Sequence, residues 1–133
     1  MRLTTKSEYS ILALIYIARH KEKDFVKIEA ICSKYDLPKK YLEQLLLILK
    51  QNRYVKTKRG ASGGYKLARS PKEITVAEIA RLMDGALAPT ESASTYFFSH
   101  TPLEKEKKIM KAFKEIRNYI SNKLEKLRLS DLT

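Results

Sequence analysis

Apolar side chains recur with helical spacing over most of this chain, and their pattern divides it into elements. Tyr9, Leu12, Ala13, Tyr16 and Ile17 form one stripe and Ile11, Leu14, Ile15 and Ala18 another, so the first predicted helix is apolar around most of its circumference. That suits a central core helix, or a core helix that also meets another chain. Thr5-x-x-Glu8 reads as a capping box and predicts a helix start near Lys6. Ile28, Ile31, Cys32 and Tyr35 fall at i, i+3, i+4 and i+7, a short amphipathic helix over 27–35. Asp36 and Leu37 make a tight break. Pro38 suits the first position of a new helix, because its missing N–H has no intrahelical partner to lose. Leu42, Leu45, Leu46 and Leu49 give the helix at 38–51 its buried stripe, which leaves Lys39, Lys40, Glu43, Gln44 and Lys50 away from the core.

The period then changes. Segments 54–58 and 65–68 read as short strands, with Gly60, Ala61, Ser62, Gly63 and Gly64 as the turn between them. Lys56, Lys58, Arg59, Lys66 and Arg69 decorate this hairpin, whose glycines would let its backbone approach a phosphate chain. Thr75-x-x-Glu78 opens another capped helix with Val76, Ile79, Ala80 and Met83 on one face and Gly85 as its stop. Residues 86–100, ALAPTESASTYFFSH, lack helical periodicity, and a loop this long is usually functional or mobile. Thr101-Pro102-Leu103-Glu104 then caps a helix expected to run to about Leu127, followed by a polar tail. Its stripe is Ile109, Phe113, Ile116, Ile120, Leu124 and Leu127. Such a helix is roughly 38 Å long, more than a core built from the first 85 residues covers. Its apolar face is expected to meet a second copy as a two-fold dimer; the alternative is that it folds back on its own domain.

Two helices, a short turn and a following hairpin make a winged helix-turn-helix. The predicted fold class is therefore mostly α with a small β-hairpin wing: a winged helix-turn-helix DNA-binding domain plus a long C-terminal dimerisation helix. The expected organisation is a DNA-binding domain over 1–85, a loop over 86–102 that is an effector or partner region, and a dimerisation helix and tail over 103–133.

Charge sharpens this picture. The chain has 133 residues and a net charge of +12. Residues 1–70 hold sixteen Lys and Arg against six Asp and Glu, residues 71–102 two against four, and residues 103–133 nine against five. The excess sits in the N-terminal half, which favours a polyanionic partner such as nucleic acid or an anionic membrane surface. The longest apolar run, ILALIYIA at 11–18, is too short to span a bilayer, and Arg19, His20 and Lys21 follow it where a leader's cleavage site would need small residues. One cysteine excludes an internal disulfide framework. A cytoplasmic protein with no membrane partner is expected. The glycine spacing matches neither GxGxxG nor GxxxxGK[ST], and no catalytic constellation stands out, so an enzyme is not expected. A protein-interaction module and an RNA-binding protein remain alternatives; the second would want several exposed aromatics on a sheet, where this hairpin offers mainly Tyr65.

The stretches MRLTTKSEYSILALIYIA, LPKKYLEQLLLILKQNRYVKTKRGASGGYKLAR and ITVAEIARLMDG resemble the Rrf-type winged-helix transcriptional regulators of bacteria, the family of the IscR, NsrR and CymR type. The resemblance runs from residue 1 through the long final helix. It implies a homodimeric DNA-binding transcription factor, often a repressor, acting on double-stranded DNA with a palindromic operator. Cluster-binding members carry three cysteines before the long helix; residues 86–102 contain none, so the resemblance is to the branch without a cluster, and no cofactor or metal is expected. In a winged helix of this type Lys39, Lys40, Glu43 and Gln44 would read bases in the major groove. Arg59 would enter the minor groove, Lys58 and Ser62 would touch phosphates, and Thr5, Lys6 and Tyr9 would make backbone contacts, with a wholly core Tyr9 as the alternative. Ile109, Phe113, Ile116, Ile120 and Leu124 would form the dimer interface. Tyr96, Phe97 and Phe98 are expected to plug the gap between domain and dimer helix, or else to line a small-molecule pocket or a partner surface. His100 is read as a surface or capping residue and Cys32 as a small core hydrophobe.

Overall fold

A computed structural model describes residues 1–133. Five helices and one hairpin follow in the order α1 (Thr5–Arg19), α2 (Ile28–Tyr35), α3 (Lys39–Gln51), β1 (Val55–Lys58), β2 (Gly64–Leu67), α4 (Val76–Asp84) and α5 (Lys107–Lys126), with short 3-10 turns between and after them. The expected fold class is the one observed. No helix is long and apolar enough to cross a membrane.

α1 is the central helix its pattern predicts. Ala13, Leu14, Ile17 and Ala18 are buried, and α2, α3, α4, β2 and the C-terminal turn all pack around it. Its start is a correction. The N-cap is Thr4, whose hydroxyl accepts from Lys6 N at 3.3 Å, not Thr5. The deciding partner is Asp84 at the end of α4, which accepts from Thr4 N (2.8 Å), Thr4 Oγ1 (2.5 Å) and Ser7 Oγ (2.5 Å). A carboxylate at a helix N-terminus answers the unpaired amides and the positive end of the dipole. Burial pushes the Asp84 carboxyl up, but these donors outweigh it and hold it below the ordinary range.

α2 ends on Asp36 in the left-handed conformation, φ 54°, and Pro38 stands as the N-cap of α3 rather than inside it. Leu42, Leu45, Leu46 and Leu49 are buried as the spacing requires. The hairpin is antiparallel with Val55 opposite Leu67 and Lys58 opposite Gly64. A third segment joins it: Val26 and Tyr65 exchange both backbone hydrogen bonds at 2.7 Å. This contact explains two of the glycines. A Cβ on Gly64 would collide with the Val26 carbonyl, and one on Gly63 with the Lys58 carbonyl. Those residues answer to the chain's own backbone, so their presence is not an argument for phosphate contact.

α4 carries its predicted capping box, with Thr75 N donating to Glu78 Oε2 at 2.8 Å and Glu78 N to Thr75 Oγ1 at 3.2 Å. Two expectations fail beyond it. Thr101 and Glu104 do pair, but around a 3-10 turn over Pro102–Lys105, and α5 begins only at Lys107. Residues 86–100 form the non-helical segment expected, with Leu87, Ala88, Ser92, Ala93 and Ser94 buried around a short 3-10 turn and 95–100 exposed. The end of the chain is not a polar tail. Val76 N donates to the Leu127 carbonyl and Leu129 N to the Ile74 carbonyl, which seats Leu129 in the main core at 3% exposure. Sequence periodicity stops at α5 and cannot see a one-residue plug.

Candidate nucleic-acid interface

The outer face of α3 is polar because its inner face is leucine. Lys39, Lys40, Glu43, Gln44 and Lys50 are all exposed. Lys39 is tethered: its ammonium lies 3.1 Å from Glu29 of α2, which raises the Lys39 pKa, while backbone and Lys39 donors lower that of Glu29. Both groups stay charged near neutrality. Lys40, Glu43 and Gln44 have no partner of this kind.

The wing stands beside that face. Glu43, Leu47 and Lys50 of α3 share a groove of about 400 Å³ with Thr57, Lys58, Arg59 and Tyr65. Lys58, Arg59 and Ser62 are exposed at the hairpin tip. The wing's basic residues are not equivalent. Lys66 is paired with Asp24 at 2.8 Å. Arg69 is structural: its guanidinium stacks 4.2 Å from the Tyr54 ring centroid, donates to the carbonyls of Asn52 and Arg53, and lies 3.4 Å from Glu78. Tyr54 in turn donates to Glu78 at 2.7 Å, and burial together with that carboxylate pushes its phenol up to about 12. Lys56, Lys58 and Arg59 are the wing cations left for an external anion.

Thr5 and Tyr9 are brought to the same helix. Thr5 Oγ1 lies 3.2 Å from Tyr41 Oη, and Tyr9 packs edge-on against Tyr41 with centroids 5.8 Å apart. Tyr9 is half-buried and Lys6 exposed. The start of α1, the outer face of α3 and the wing thus border one another through Tyr41 and the shared groove. Two contributors have no local signature in the sequence: Asp84, which fixes the start of α1, and Val26, which braces the wing. A third, Leu47, was legible, since it follows Lys40 by seven residues.

A family model covers nearly the whole of this architecture, matching residues 3–133. The chain belongs to the Rrf2 family. That family is described as iron-dependent transcriptional regulators. The chain is 34% identical to the transcriptional regulator CymR of Bacillus subtilis over 91 residues, 68% of this chain and 66% of that protein. It is 36% identical to IscR of Photorhabdus laumondii over 90 residues, 68% of this chain and 55% of that one. The matched part is therefore under two thirds of these relatives' length. Among solved structures, CymR of B. subtilis, the global cysteine regulator, superposes with a TM-score of 0.71 at 29% identity, covering 99% of this chain and 95% of that one. IscR of T. potens gives 0.69 at 30% identity, covering 99% and 85%. These relatives are regulators and not enzymes.

The family's iron raises the question of ligands, and the donor set here does not fit an iron-sulfur cluster. Residues 86–102 hold no thiol. Cys32 is half-buried on α2 against the main core, where desolvation raises its thiol pKa, whereas a metal ligand must be a thiolate. His100 is exposed, 3.0 Å from Glu104, and no three His, Cys, Asp or Glu side chains converge.

The presumed dimer stripe is divided. Phe113 packs on Ala88, Ala93 and Met110, and Ile120 and Leu124 pack on Ala77, Ala80 and Leu87 of their own protomer. Arg81 of α4 reinforces that seat by reaching Glu125 at 2.8 Å. Ile109, Ile116 and Tyr119 stay exposed, the last at 74%. Tyr96, Phe97 and Phe98 do not plug the gap beneath α5: all three are exposed, and Tyr96 lies under the Arg81 guanidinium, 4.5 Å from its ring centroid.

Proposed function

We propose that the chain is a homodimeric, sequence-specific DNA-binding transcriptional regulator, acting as a repressor. The observation that carries this reading is the shared groove in which the polar face of α3 and the free cations of the wing lie side by side. α3 has the dimensions to lie in a major groove, where Lys40 favours guanine acceptors, Gln44 suits adenine and Glu43 can accept from cytosine. Lys39 joins them once it exchanges Glu29 for DNA. Arg59 enters the minor groove, Lys58 and Ser62 meet phosphates, and Thr5, Lys6 and Tyr9 set register from the start of α1. The CymR and IscR likenesses support this assignment.

The dimer forms through the edge of α5 that its own domain leaves open, with Ile109 and Ile116 at its centre and Tyr119 beside them. Phe113, Ile120 and Leu124 support that edge from below. The organisation is a DNA-binding body over 1–85, a connecting and effector segment over 86–102, and a dimerisation helix with a docked end over 103–133. No cluster or metal takes part. An effector, a small molecule or a protein, would act by changing how the two reading heads are spaced through 86–102 and α5.

The test is selection of duplexes by the purified protein from fragmented genomic DNA, with and without candidate metabolites. A palindromic consensus is expected, with half-sites one or more helical turns apart. Gln44→Ala should flatten the affinity ranking of single-base variants of that consensus. An unstructured, non-palindromic set of recovered fragments would remove the reading.

A further inference from the structure

Lys40, Glu43, Gln44 and Leu47 fall at i, i+3, i+4 and i+7 of α3 and so form one stripe. Three of the four can hydrogen-bond. Leu47 cannot, yet it is 53% exposed while the other leucines of the helix are buried in the core. It shares the groove with the polar and charged side chains of Glu43, Lys50, Thr57, Lys58 and Arg59, and with Leu46, Gly64 and Tyr65. The groove's three cations, Lys50, Lys58 and Arg59, outnumber the one carboxylate of Glu43, a balance that suits a polyanion such as DNA. On a helix lying in the major groove this stripe faces base edges, and the prominent apolar group there is the thymine C5-methyl.

We propose that Leu47 is a specificity-determining residue that packs on the C5-methyl of one thymine in each operator half-site. This rests on the reading of α3 as the groove helix. Lys40, Glu43 and Gln44 then supply hydrogen-bond discrimination, and Leu47 excludes water from one methyl and disfavours cytosine at that step. A leucine in the reading stripe also sharpens the neighbouring polar contacts, because it keeps solvent from the flank of Glu43.

Deoxyuridine substitution isolates the methyl, since it removes that group and leaves base pairing intact. The duplex that the unmodified full-length protein enriches from a random pool is labelled, and each thymine is replaced in turn. Fluorescence anisotropy is expected to show one thymine per half-site whose replacement weakens binding about fourfold, the worth of one buried methyl group. Leu47→Ala should weaken binding to the thymine duplex by a similar factor and make thymine and uracil equivalent at that position. Leu47→Met should restore the preference. Because Leu47 is exposed, circular dichroism of both variants should match the parent. Enrichment of a duplex in which no thymine responds to methyl removal overturns the inference alone, as does a methyl preference that Leu47→Ala retains in full, or a change in oligomeric mass caused by Leu47→Ala. Failure of the unmodified protein to prefer the enriched duplex over a shuffled one overturns the groove reading and this inference together.

Discussion

Residues 1–85 and 86–133 solve the problem of burial differently. The first region encloses a contiguous core, with Leu14, Ile17, Ile31, Leu42, Leu45, Leu46 and Leu49 each at most 1% exposed. The second has no comparable core. α5 buries only Met110, and its other apolar residues either lean on α4 and the 86–100 segment or face outward. Ile109, Ile116 and Tyr119 on α5, and Phe97 and Phe98 before it, are all exposed. The contrast separates a domain whose apolar residues are enclosed within one chain from a scaffold that leaves part of its apolar surface open.

Core and scaffold should therefore respond differently to substitution. Leu46→Ala is expected to cost about 2 to 5 kcal/mol of protomer stability by urea denaturation, through lost transfer energy and the cavity left behind. Ile116→Lys, on the open edge of α5, should leave the protomer within about 0.5 kcal/mol while shifting sedimentation to the monomer. A large stability loss from Ile116→Lys would break the contrast.

Asp84 joins the ends of α1 and α4 inside the first region. Asp84→Ala leaves the donors of Thr4 and Ser7 without their acceptor and should cost about 1 to 3 kcal/mol. Since folding lowers this carboxyl below its ordinary value of 3.8, its stabilisation is present above that value and is lost as pH falls through the folded-state value. The variant should accordingly show a shallower loss of stability on acidification than the parent. Equal acid limbs in the two unfolding series would assign the acid sensitivity elsewhere.

Arg59→Ala probes the surface of the first region rather than its interior. Operator affinity is expected to fall by about 1 to 3 kcal/mol in an anisotropy titration, with the melting temperature unchanged because Arg59 is exposed. The smallest effect has the opposite sign. Ser10 is fully buried on α1 and its hydroxyl has no hydrogen-bond partner, so Ser10→Ala should stabilise the fold by about 1 kcal/mol.

The two regions also differ in how much of them the sequence discloses. In the first, structure is set by local chemistry: the Thr75–Glu78 box, the Asp36 break and the leucine stripe of α3 all lie within a few residues of what they control. The start of α1 escapes this logic, because choosing Thr4 over Thr5 depends on a carboxylate eighty positions away. Val26 escapes it too, as a single bridge to Tyr65 has no alternating pattern behind it. In the second region the periodic stripe of α5 reveals a helix but not its partner. Ile116 and Phe113 look alike in sequence, and only the placement of Ala88 and Ala93 separates a residue seated on its own domain from one left open. The burial of Leu129 is likewise tertiary, since its anchor is the backbone of Ile74.

The central claim is that the face shared by α3 and the wing grips duplex DNA. Its most direct test is the affinity of the full-length protein for an enriched operator duplex, measured by anisotropy across a series of salt concentrations. The account predicts that log affinity falls linearly with log salt, by about 0.9 for each phosphate neutralised, and that the operator stays preferred over a shuffled duplex throughout. A flat salt response, with operator and shuffled duplex bound alike, would contradict it.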